Sequence, residues 1–292
     1  MNVEQFFGHL DELFRKNEID KVEPYLLSEL EKAKAAEDYM AHIVVGNEMI
    51  GFYRSVSLFK KAFDIAEDVL LLMEEIQLET SEHFATTLLN VATAYRAAGY
   101  LEQAYKYYLQ ALHIYDGLLP KEDYRFAGLY NNMSILLEQM GENEQAAELA
   151  RKALAIVRNM ENSEAEQATT LTNLALLYFK TDRAQEAAAA LEEALRLFEK
   201  AGGGENTDAH YSAALAGVGE AYYRMGDYTN ALLSYEKALT EVEKHFGRNQ
   251  SYGVLCENCA AVCECLHDKE KAEYYRKQAE EVYKRTGVDK IG

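Results

Sequence analysis

The chain has 292 residues, 49% hydrophobic and 27% charged, with 49 Asp and Glu against 30 Lys and Arg for a formal charge of -19. That apolar fraction excludes a disordered chain, and a pI near 4.8 without a Lys/Arg cluster excludes a basic phosphate-binding face, so nucleic acid is not expected as a partner. Only two prolines occur, Pro24 and Pro120, in a sequence rich in Ala, Leu and Glu, which points to long unbroken helices and excludes collagen-like or proline-linker architectures.

The start, Met1 to Phe7, lacks the basic segment and apolar core of a signal peptide, and no apolar run approaches the roughly 18 residues of a membrane span. A cytoplasmic protein without membrane contact is expected. Residues 2–38 predict a degenerate helical hairpin, with Phe6, Phe7, Leu10, Leu13 and Phe14 on its first helix and Val22, Leu26 and Leu30 on its second. Pro24 is placed early in that second helix, where proline is best tolerated.

From about residue 40 the chain repeats itself. Aligned copies begin at Glu48, Asn90, Asn132, Asn173, Gly217 and Asn258, spaced 42, 42, 41, 44 and 41 residues apart. Each copy reads as two helices. The first carries apolar residues at helical spacing, such as Leu88, Val91, Ala92 and Tyr95, and ends at a turn with Gly99, Gly141 or Gly226. The second places a small residue at one fixed phase, Ala62, Ala104, Ala146, Ala187, Ala231 and Ala272, where two helices must approach closely. Between copies, Ser163 with Glu166 has the spacing of a capping box. Residues Gly202 to Asn206 read as an inter-repeat linker, since the glycine run lacks the Gly-Lys-Ser/Thr ending of a phosphate loop.

The four cysteines fall within ten residues in the last copy. Cys256, Cys259 and Cys263 occupy the register of Leu88, Val91 and Tyr95, so core packing is expected rather than a metal site; Cys265 lies off that stripe and is the thiol expected to react. Tyr53, Tyr95, Tyr178 and Tyr222 share one packing position, whereas Tyr223 is placed on the open side. No nucleophile elbow, His-Glu-x-x-His or paired His/Cys constellation occurs, and the expectation is a non-enzyme without cofactor or metal.

Ala92, Tyr95, Gly99, Ala104, Tyr108 and Ala111, and again Gly219, Tyr222, Gly226, Ala231, Tyr235 and Ala238, resemble the tetratricopeptide repeat, whose standard length is about 34 residues. The longer period here is similar to that of kinesin light chains and many bacterial proteins of the same class. Over residues 40–285 the resemblance implies an all-α, right-handed superhelical solenoid of about seven antiparallel helix hairpins. One domain, 1–292, is expected: a cap hairpin at 1–40, repeats at 41–79, 80–121, 122–162, 163–204 and 205–247, and a last repeat with its cap at 248–292.

The resemblance further implies a scaffold that binds a protein or peptide segment in a concave groove lined by the first helices. Transferred position by position, its central groove asparagine falls on Asn90, Asn132, Asn173 and Asn258, with Glu48 and Gly217 interrupting the ladder. Neighbouring positions carry Asn47 and Asn131, and one turn later come Arg54, Arg96, Glu138, Phe179 with Lys180, Tyr223 with Arg224, and Glu264. An asparagine amide can grip both halves of a peptide bond, but the same side chains could instead bond neighbouring helices and order the stack. The paired lysines and asparagines of a chaperone carboxylate clamp are not reproduced. An alternative is a regulator responsive to a signalling peptide and acting through a separate effector, because the first forty residues are too short for a DNA-binding module. The protein is expected as a monomer or homodimer.

Overall fold

The computed structural model describes residues 2–16, 18–202 and 209–286, and those residues contain fourteen α-helices and no strand. The helices are α1 (Val3–Arg15), α2 (Ile19–Ala35), α3 (Tyr39–Ser55), α4 (Phe59–Glu75), α5 (Glu82–Ala97), α6 (Leu101–Leu118), α7 (Tyr124–Gln139), α8 (Asn143–Val157), α9 (Glu164–Lys180), α10 (Ala184–Gly202), α11 (Ala209–Arg224), α12 (Tyr228–Phe246), α13 (Gln250–Cys265) and α14 (Lys269–Thr286). Two compact units result, Met1–Met140 and Gly141–Gly292.

The turns after the first helices share one chemistry. Ser57, Gly99, Gly141, Asp182, Gly226 and His267 all take the left-handed conformation, with φ between 56 and 86°. The following amide then reaches back five residues to the last turn: Leu58 to Tyr53, Tyr100 to Tyr95, Arg183 to Tyr178, Asp227 to Tyr222 and Asp268 to Cys263, at 2.8 to 2.9 Å. This closes the helix C-terminus by satisfying a carbonyl that would otherwise lack a donor. At several helix starts a side chain does the converse work: Asn2, Asp38, Ser81, Asp123, Asp227 and Asn249 each accept from a backbone amide two or three residues on.

Within unit 1, α1 packs on α2, α3 on α4 and α5 on α6, while α3 touches α5 and α5 touches α7. Within unit 2, α9 packs on α10, α11 on α12 and α13 on α14, and α9 touches α11. The alanines expected at the helix crossings are at most 1% exposed in every copy, so no side chain separates the helices there. Around them the core is filled by large residues such as Tyr108, Tyr115, Phe126 and Phe198. The buried Tyr108 and Tyr115 hydroxyls meet Thr93 at 2.9 Å and Thr86 at 3.1 Å, which removes the penalty of an unpaired buried polar group.

Two local expectations differ from the structure. Ser163 does not cap α9; its hydroxyl is buried and donates to the Val157 and Met160 carbonyls at 2.6 and 2.9 Å, so it closes the end of α8. Pro24 is the sixth residue of α2, beyond the first turn, and the Asp20 carbonyl receives no amide from it. On α1, Phe6, Leu10 and Leu13 are buried, but Phe7 and Phe14 face solvent because α2 covers only one stripe of the helix. The Gly203 to Asn206 part of the expected linker lies outside the described residues.

Candidate binding faces of the two units

First helices touch in turn from α3 through α5 to α7 in unit 1, and α9 touches α11 in unit 2, so side chains on their open side share a surface within each unit. In unit 1 that surface contains Asn47, Arg54, Asn90, Arg96, Asn131, Asn132 and Glu138, all of them half-buried. Asn47 is engaged on both sides of its amide: it donates to the Ile43 carbonyl at 3.0 Å and to Thr87 Oγ1 at 2.9 Å, and accepts from Asn90 Nδ2 at 2.8 Å. The pair therefore ties α3 to α5. Asn132 donates to Gly128 of its own helix at 2.9 Å, which leaves α7 untied by this residue.

Arg54 and Arg96 both approach the Tyr108 hydroxyl, whose pKa burial raises against the opposing pull of Thr93 and the two guanidinium groups. The Arg96 Nε is itself buried without a hydrogen-bond partner. Glu48, which takes the asparagine's place in the first copy, is raised by burial and by the nearby Asp11 carboxylate, so its charge is only partly solvated. It lines a cavity of about 310 Å³ with Leu10, Phe14, Leu26 and Arg54.

In unit 2, Asn173 and Asn258 are half-buried and Lys180 is exposed. Arg224 is committed within the protein: its Nε donates to Glu220 at 2.6 Å, one Nη to the Phe179 carbonyl at 2.9 Å, and its plane lies 5.1 Å from the Phe179 ring. Phe179 is only 5% exposed, so it forms part of the packing under Arg224 rather than of the open face. Tyr223 packs on Tyr228 with ring centroids 5.7 Å apart, and the hydrogen bond between its hydroxyl and Cys265 raises its pKa. The ladder breaks at Gly217 because Leu191 of α10 occupies that space; a Cβ there would lie 2.9 Å from its Cδ1.

The register did not foresee a cleft of about 500 Å³ between α11 and α13, walled by Ala213, Ala216, Val254, Asn249 and Asn258 and floored by Val242 of α12. Its sequence signal is the pair Ala213 and Ala216, where two other copies carry the larger combinations Thr86 with Leu89 and Thr169 with Thr172. Small side chains on one wall leave room that those two copies fill.

Cys256, Cys259 and Cys263 are fully buried in α13 between α12 and α14. Burial pushes the Cys256 thiol up to about 12 and raises Cys259 and Cys263 as well, the reverse of an activated thiolate. Among the described residues no three His, Cys, Asp or Glu side chains are grouped as metal ligands, and no helix is long and apolar enough to cross a membrane.

Profiles of the tetratricopeptide repeat match residues 125–200, and 87–122 with 214–250. The proteins KINESIN LIGHT CHAIN-RELATED 1 and 3 of Arabidopsis thaliana are each 24% identical, over 161 and 220 residues, or 55% and 74% of this chain. The chain spans 26% and 33% of the length of those relatives. Among solved structures, the apo form of RapI superposes with a TM-score of 0.77 at 13% identity, covering 98% of this chain and 77% of that one. At that identity the likeness is one of fold.

Proposed function

The chain belongs to the tetratricopeptide repeat family, and from that premise we propose that it is a non-catalytic scaffold holding an extended segment of a partner protein against the first helices of its hairpins. The observation that carries this reading is the open cleft between α11 and α13, where Asn258 and Asn249 stand beside an apolar floor. Amides beside an apolar pocket suit a segment that offers backbone donors and acceptors together with one inserted side chain. In unit 1 the groups on that face differ. Arg54, Arg96 and Asn132 are polar side chains there that do not tie α3 to α5, and they supply positive charge and an amide.

A photoreactive amino acid placed at Ala213 or Gly128, on first helices, should cross-link the partner in cells. The same residue at Glu148 or Lys152, on the exposed side of α8, should not. Equal cross-linking from both sets would refute a first-helix binding face. Adduct recovery should also fall with Asn258→Ala, which removes one amide from the cleft without adding bulk.

A further inference from the structure

A second surface lies on the other side of unit 1, away from the first-helix face. The second helices α4 and α6 are separated by a groove of about 600 Å³ whose floor is α5. Leu70, Phe84, Tyr107 and Ile114 line it, and Leu109 at its edge is 41% exposed, as is Leu71 beside it at 53%. Apolar side chains left in water at such a rim are an unmet driving force for association.

The corresponding groove in unit 2, between α8 and α10, encloses about 410 Å³ and is bridged by an ion pair. Arg158, the residue that caps the C-terminus of α8, and Glu193 of α10 stand 2.7 Å apart across it. In register, Arg158 corresponds to Glu74 and Glu193 to Gln110: twelve residues after Ala146 and Ala62, and six after Ala187 and Ala104. Unit 1 thus carries a carboxylate where unit 2 carries the bridging cation, and a neutral amide opposite it. Among the described residues neither Glu74 nor Glu79, both lining the groove, has an ion-pair or hydrogen-bond partner for its carboxylate, and no lysine or arginine lines it.

We propose that the α4–α6 groove is a docking surface for a basic amphipathic helix of a partner protein, seating an apolar side chain beside Leu109 while a lysine or arginine pairs with Glu74. Charge selects this occupant. A second copy of the chain would bring another -19 toward a groove edged by carboxylates, whereas a basic segment supplies the cation that Arg158 supplies in unit 2. The surface is separate from the first-helix face, so its failure would leave the cross-linking result there untouched.

The test uses fluorescently labelled amphipathic peptides of leucine with lysine, and of leucine with glutamate, titrated into the full chain with anisotropy as readout. The leucine–lysine peptide should bind saturably and the leucine–glutamate peptide should not. Glu74→Arg with Gln110→Glu, which installs the cross-groove pair of unit 2, should weaken binding by about tenfold or more. Leu109→Gln, a milder surface change, should weaken it too. Glu270→Gln on α14 changes net charge by the same single unit as the double variant and should leave affinity within about twofold. The proposal is overturned by an equal loss in Glu270→Gln, which would mean unspecific attraction to an acidic chain, or by absence of saturable binding. Light scattering that showed wild-type dimers abolished by the double variant would overturn it in favour of a second copy.

Discussion

Asn47 and Asn132 carry the same side chain on equivalent faces, one position apart in register, yet their environments give them different energetic weight. Truncating Asn47 leaves Asn90 Nδ2 without its acceptor and removes the bond that Thr87 Oγ1 accepts, at a half-buried helix crossing. Truncating Asn132 removes a bond only to its own helix. Asn47→Ala should therefore cost about 1–3 kcal/mol, and Asn132→Ala about 0.5 kcal/mol or less, in urea denaturation. A comparable loss for both would show that the α3–α5 tie has no special weight. The register places both residues on the first-helix face. It does not reveal which neighbour each amide meets, because that depends on how closely α3 approaches α5 in space. The same limit applies to Arg224, whose charge reads as available in sequence but is held by Glu220 and the Phe179 carbonyl.

At the level of helices and turns, the alignment of alanines and tyrosines was enough to place the six helix pairs from α3 to α14, since a period near 42 residues leaves one phase at which small residues can sit at the crossings, while the α1–α2 pair was legible only from its own apolar spacing. Glycine marked only three of the six turns. Ser57, Asp182 and His267 adopt the left-handed conformation without the residue that favours it, and nothing local in sequence signals this. The surrounding helices impose it through the back-reaching amide bond, as at Arg183 to Tyr178, 2.8 Å. Such a residue carries strain that glycine would not, about 1 kcal/mol for a side chain in this region. Asp182→Gly at φ 56° should raise stability by about 0.5–1 kcal/mol despite the greater backbone entropy of the unfolded chain. Gly226→Ala at φ 78° should lower it by about 1 kcal/mol. Thermal melts of the two variants would give opposite displacements; displacements of the same sign would contradict the turn assignment. Ser163 was misread at this scale for a related reason: serine spacing alone does not say whether a hydroxyl serves the helix ahead or the one behind, and here the carbonyls ending α8 claim it.

Across the chain the balance of charge opposes the packing that the repeats provide. With 30 cationic and 49 anionic side chains the excess is 19 negative charges, while the ion pairs that offset them are largely exposed, for example Lys152–Glu148 and Lys16–Glu12. Pairs of that kind contribute about 0–1 kcal/mol each and weaken in salt. Self-repulsion among the unpaired carboxylates acts over longer distances and is screened first, because the Debye length falls from about 30 Å at 0.01 M salt to about 3 Å at 1 M. Raising sodium chloride over that range should therefore raise the melting temperature. A falling midpoint would mean that the exposed pairs outweigh the repulsion. Association with the leucine–lysine peptide should respond in the opposite sense, since screening removes the attraction between the acidic chain and a cation while leaving the apolar seat beside Leu109 intact. The two responses separate what charge does to the fold from what it does for recognition: in the same salt series the chain becomes harder to unfold and slower to capture a basic partner, and the part of the affinity that survives high salt measures the apolar contact alone.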